Sequence, residues 1–125
     1  NKIKRKNIVF HSGRVIMLYL YKNLSILKKL TEIEISKKIK KIPNWTYQNK
    51  AIQTSYKFND FKDTFFVMKQ IALMAEKINH HPNWSNVYNV LNISLTTHDA
   101  GGVTDKDFEL AAMINVVIKE SLNDK

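Results

Sequence analysis

Three of the four histidines in this chain, His80, His81 and His98, fall within one window of about twenty residues. Glu76 precedes them and Asp107 follows. Imidazole is the only side chain whose ordinary pKa, roughly 6.5, lets it both give and take a proton near neutral pH. Three together point to proton-transfer chemistry or to a metal, with local hydrogen bonding in a loop as the plain alternative. Three neutral imidazoles would suit zinc. Adjacent histidines lack the i, i+4 spacing by which one helix face directs two rings at one ion. The chain has no cysteine, and the nearby carboxylates form no recognised ligand pattern. Acid–base catalysis on a bound heterocycle needs less. One group gives a proton to a leaving hydroxyl while another removes a proton elsewhere on the substrate.

The neighbouring residues each carry two readings. Pro82 disfavours helical geometry at His81, which puts the histidine pair where a helix unwinds. Glu76 is either a solvated carboxylate or part of the site. If Thr104 is a helix N-cap, Asp107 stands at N3, where a carboxylate favours the helix end by itself. On the catalytic reading Asp107 orients His98 and stabilises its protonated form. The residue pattern alone favours the cap. Trp84 and Tyr88 would stack on a flat ring or pack in the core.

The elements that must position these groups follow from periodicity. Thr31 to Ile42 predicts a helix capped by Thr31, acidic at its start, basic at its end and stopped by Pro43. Trp45 to Tyr47 begins a strand, Asn49-Lys50 turns the chain, and Ile52, Thr54, Tyr56 and Phe58 alternate with polar neighbours as in a half-buried strand. Asn59 or Asp60 caps a long helix to about Ile78. Phe61, Phe65, Met68, Ala72 and Ala75 form one stripe on it, and Val67, Ile71, Met74 and Ile78 another. A helix so apolar is covered on more than one side, and a partner subunit would supply the second cover. From Val87 one strand is expected, with Leu91, Ile93 and Leu95 on one face. Tyr88, Thr96 and His98 lie on the other. A turn at 99–102 and a final helix from Thr104 to about Leu122 complete an α+β domain, with helices packed on one face of the sheet.

A length of 125 residues fits a single domain. The net charge of +9 resembles a nucleic-acid signal until it is divided. Residues 1–29 hold eight basic and no acidic residues, a charge of +8, whereas the other 96 hold 12 basic and 11 acidic, a charge of +1. The body is nearly neutral, so no nucleic-acid partner is expected. Residues 1–29 read as a basic, apolar extension to a domain over 30–125: a targeting segment or an arm docking on the domain. Its longest apolar run is too short to cross a bilayer. A cytoplasmic protein is expected, with organellar targeting by residues 1–29 as the alternative.

The order Glu76, His80-His81-Pro82, Tyr88, His98, Asp107 resembles the signature of the pterin-4a-carbinolamine dehydratases. The stretches Tyr56–Phe61, Ala72–Lys77, His80–Trp84, Asn86–Asn89 and Leu95–Asp99 are similar to that family too, and the likeness covers about residues 30–122. It implies an antiparallel sheet with helices on one face. It also implies dehydration of 4a-hydroxytetrahydropterin to quinonoid dihydropterin, which recycles the tetrahydrobiopterin used by aromatic amino-acid hydroxylases. The pterin is then the substrate, and no metal or organic cofactor is used. By the resemblance His80 and His98 act as general acid and base around the 4a-hydroxyl and N5. His81 positions the substrate, Asp107 supports His98, and Asn79, Thr96, Thr97 and Asp99 line the pocket. Glu76, Pro82, Trp84 and Tyr88 belong to the same signature. The family forms homodimers and homotetramers. Some members resemble a dimerisation cofactor for a transcription factor, so the alternative function is a non-catalytic module that binds a helical partner.

Overall fold

The structure, a computed structural model, describes residues 28–123; the proposed extension lies almost wholly outside them. The order is α1 (Glu32–Ile39), β1 (Thr46–Gln48), β2 (Ala51–Lys57), α2 (Phe61–Lys77), β3 (Asn83–Val87), β4 (Val90–Leu95), a 3₁₀ turn (His98–Ala100) and α3 (Asp105–Asn123). The strands form one sheet in the order β1-β2-β4-β3, with every neighbouring pair antiparallel. The α+β expectation holds.

Thr31 starts α1 through a capping box: its hydroxyl accepts the Glu34 N–H, and Glu34 accepts the Thr31 N–H. That backbone hydrogen bond holds the Glu34 carboxyl below the usual carboxylate range. The helix ends at Ile39, ahead of Pro43. Asn49 and Lys50, both with positive φ, turn β1 into β2, as expected of a two-residue hairpin loop.

The register fixes the core. Ile52 pairs with Leu95, Thr54 with Ile93 and Tyr56 with Leu91, so these side chains share a face. Ile52, Leu91, Ile93 and Leu95 are fully buried or nearly so, together with Val67 and Ile71 of α2 and Leu110, Ile114 and Ile118 of α3. Shortening a side chain such as Ile71 to alanine would cost about 2–5 kcal/mol. Of the two stripes on α2, the one through Val67 and Ile71 is buried. Phe61 and Phe65 of the other remain about half exposed.

One expectation is corrected. The single strand foreseen from Val87 is a hairpin, with Tyr88 and Asn89 as its turn. Tyr88 takes positive φ. Asn86 donates to the carbonyls of Tyr88 and Val90, and Asn89 donates to the Phe58 carbonyl. The Asn86 amide satisfies backbone groups locally and makes the turn, while Asn89 anchors it to the end of β2; alternation alone registers neither. No helix among the described residues is long and apolar enough to cross a membrane.

Candidate functional site

The end of α2 aims His80. Asn79 leaves the helix in the left-handed region at φ 52. The His80 N–H then reaches back to the Ala75 carbonyl at 3.0 Å and the Asn79 N–H to the Glu76 carbonyl at 3.2 Å. These two bonds are the Schellman closure of a helix, with Asn79 in the position that glycine most often fills. Asn79, expected to line the pocket, is therefore the residue that ends the helix, two positions before the proline constraint at His81 begins.

The start of α3 supplies the partner. Thr104 precedes the helix; its hydroxyl accepts the Lys106 N–H at 3.2 Å, and its own N–H donates to Asp107 Oδ2 at 2.8 Å. Asp107 is thus the capping carboxylate foreseen from its spacing. Its other oxygen does something else. Oδ1 stands 2.5 Å from His80 Nε2, with the carboxylate at 0% exposure and the imidazole at 11%. The cap and the histidine partner are one residue, divided by oxygen.

The partner itself is a correction. The expected partner of Asp107 is His98, but its hydrogen bonds go to His80, Thr97 and Thr104. Both loops that meet the carboxylate are short and tightly bonded, and His80 rather than His98 ends up across from it. A carboxylate oxygen only accepts, so neutral His80 carries its hydrogen on Nε2 and leaves the Nδ1 lone pair free for a proton. Burial makes this geometry exacting, because a buried carboxylate is tolerated only when its acceptor sites are filled.

Thr97 joins the third histidine to the pair. Its backbone bridges Gly102, closing a tight loop over the 3₁₀ turn that starts at His98. Gly101 ends that turn at φ 75, a conformation glycine adopts freely. The Thr97 hydroxyl donates to Asp107 Oδ2 at 2.8 Å. Thr97 was expected to line the pocket, but it is buried at 5% exposure and its hydroxyl is committed inward. His98 is exposed beside it, and its ring makes no hydrogen bond among the described residues.

The remaining candidates divide. His81 is exposed and meets Glu76 at 3.3 Å. Thr96 and Asp99 are exposed, and Thr96 donates to the Lys50 carbonyl. Trp84 pairs with Ile93 and packs partly against the core. Pro82 leads directly into β3. Tyr88 is not brought to the site: it lies at the far end of β4 from His98, roughly 20 Å away for a strand of this length. Among the described residues no group of three or more His, Cys, Asp or Glu side chains is arranged to hold a metal ion. A cavity of about 390 Å³ lies over the open sheet face, lined by Asn44, Thr46, Gln53, Asn83 and Ser94 among others, and none of the three histidines borders it. Thr104 is the site residue that sequence reasoning treated only as a cap. Its spacing to Asp107 was the available signal.

Comparison with known proteins places the chain in a family. Residues 28–117 match the family model described as pterin 4 alpha carbinolamine dehydratase. A provisionally named pterin-4-alpha-carbinolamine dehydratase of Christiangramia forsetii is 52% identical over 96 residues, covering 77% of this chain and 99% of that one. Another of the same name, from Solibacter usitatus, is 51% identical over 89 residues, 71% of this chain and 94% of that one. A crystal structure titled transcriptional coactivator/pterin dehydratase, from Brucella melitensis, superposes with a TM-score of 0.70 at 39% identity. It covers 72% of this chain and 98% of that one. With a family model matching most of its length and relatives at half identity, this chain belongs to the pterin-4a-carbinolamine dehydratase family of enzymes.

Proposed function

We propose that this protein dehydrates 4a-hydroxytetrahydrobiopterin to quinonoid dihydropterin in tetrahydrobiopterin recycling, by histidine acid–base catalysis. The observation that carries the reading is the buried Asp107 carboxylate against His80 Nε2. A carboxylate in that place stabilises the imidazolium that forms when Nδ1 takes a proton. In this reading His80 Nδ1 removes the proton from N5. The exposed His98 gives a proton to the 4a-hydroxyl, the C4a–O bond breaks, water leaves, and the C4a–N5 double bond forms. Solvent then restores both rings. Acid and base each contribute about 10²–10⁴-fold. His81, held loosely by Glu76, contacts the substrate from the exposed side. The pterin is substrate, and no metal or organic cofactor takes a step. The direct test adds purified protein to 4a-hydroxytetrahydropterin generated in solution. Catalysed loss of the intermediate supports the reading, and decay at the spontaneous rate contradicts it.

Self-association belongs to the same proposal. Phe61 and Phe65 stack at 5.9 Å on α2 and are 49% and 56% exposed. A second copy of this chain would cover them, giving a homodimer or homotetramer, since monomers rarely expose contiguous apolar surface.

A further inference from the structure

We propose that Thr97 and Thr104 are positioning residues whose hydroxyls form a one-way hydrogen-bond chain that fixes Asp107, and through it the tautomer of His80. This inference rests on the reading of His80 as the proton-transfer group. Its basis is a count of hydrogens. Each hydroxyl has one to give. The Thr97 hydroxyl gives its hydrogen to Asp107 Oδ2 at 2.8 Å. It also lies 2.7 Å from the Thr104 hydroxyl, so in that contact Thr97 accepts and Thr104 donates. Thr104 Oγ1 in turn accepts the Lys106 N–H at 3.2 Å. The chain therefore runs from the Lys106 amide through Thr104 and Thr97 to the carboxylate. An amide has no lone pair with which to accept, so the order cannot reverse.

The consequence falls on the carboxylate. Oδ2 takes two donors, the Thr97 hydroxyl and the Thr104 N–H. Oδ1 is left for His80, and it can only accept. Thr97, Thr104 and Asp107 are all buried, at 5%, 0% and 0% exposure, so water does not replace a missing link. Such closed networks hold their members in one arrangement. Both threonines act through Asp107 and neither faces the substrate, so their effect is expected in kcat rather than KM.

The test records the ¹⁵N spectrum of the His80 ring and the dehydration kinetics for wild type, Thr97→Val and Thr97→Ser. The neutral wild-type ring should carry its hydrogen on Nε2. Thr97→Val should lower kcat about tenfold, the effect of one lost hydrogen bond to a charged group, with KM unchanged and a mixed tautomer, because the loosened carboxylate turns away from Nε2 in part of the molecules. Thr97→Ser should restore both. If Thr97→Val does not fold, Thr104→Ala interrupts the same chain and should show the same mixture. A wild-type neutral ring with hydrogen on Nδ1, or wild-type kcat and spectrum in the folded threonine variant, overturns the proposal. His80→Ala separates the two levels. Full activity there sinks the site assignment, while loss there beside an unaffected Thr97→Val sinks the hydroxyl chain alone.

Discussion

His80 Nε2 lies 2.5 Å from Asp107 Oδ1, a contact that joins the end of α2 to the first turn of α3. The two residues are 27 positions apart, with β3, β4 and the 3₁₀ turn between them. The sheet serves the site by returning the chain from the end of one helix to the start of the next. Local closures then set the angles: Asn79 at the helix exit and Thr104 at the helix entry.

Asp107→Asn should invert the histidine. The Thr97 hydroxyl and Thr104 N–H both require an oxygen at the Oδ2 position, so the amide nitrogen turns toward His80. Nε2 must then accept, and the ring hydrogen moves to Nδ1. Dehydration should fall by about 10²–10⁴-fold with the fold retained. Kinetics and the ring ¹⁵N spectrum, recorded together, check both parts.

Asn79 is a stability prediction. Left-handed backbone costs a residue with an ordinary side chain about 1–2 kcal/mol, a cost that asparagine partly and glycine wholly avoid. Asn79→Ala should therefore destabilise the domain by about 1 kcal/mol, while Asn79→Gly should be neutral within a few tenths. Urea denaturation of the two variants measures the difference. Equal midpoints would remove the Schellman account of how His80 is aimed.

Tyr88 carries the opposite expectation. It sits in the β3–β4 turn at positive φ, 60% exposed, at the far end of β4 from His98. Tyr88→Asn keeps a side chain that tolerates this backbone. It should leave kcat/KM for the hydroxypterin within about twofold of wild type, since a surface substitution away from the site changes little. A larger fall, measured under the same conditions, would return Tyr88 to the site.

These outcomes bear on what the residues disclosed in advance. Alternation at Ile52, Thr54, Tyr56 and Phe58 and capping at Thr31 and Asp60 are local signals, and the elements form where they point. The hairpin over 83–95 is signalled by Asn86, whose side chain bonds the Tyr88 and Val90 carbonyls across the turn, and by Asn89, which ties the turn to the Phe58 carbonyl; alternation passes over such residues without notice. Spacing identified Asp107 as a cap and the histidines as a cluster. It did not decide which imidazole the carboxylate meets, because that depends on how two loops close in three dimensions. The commitment of Thr97 to the interior was hidden for the same reason.

The outer stripe of α2 predicts an assembly. Phe65→Glu places a charge beside Phe61 on the exposed face, where a second copy would have to bury it. Sedimentation should show wild type as a dimer or tetramer and Phe65→Glu in a smaller species, with the melting temperature lowered as the partner is lost. Wild-type protein that sediments as a monomer at all concentrations would contradict the assignment of that face.

The most direct measurement is the dehydration rate of 4a-hydroxytetrahydropterin with His80→Ala, followed by rapid mixing and compared with wild type at equal enzyme concentration. The Asp107–His80 account predicts a loss of about 10²–10⁴-fold in catalysed rate, with an unchanged circular dichroism spectrum. A variant that dehydrates the pterin at close to the wild-type rate would contradict it.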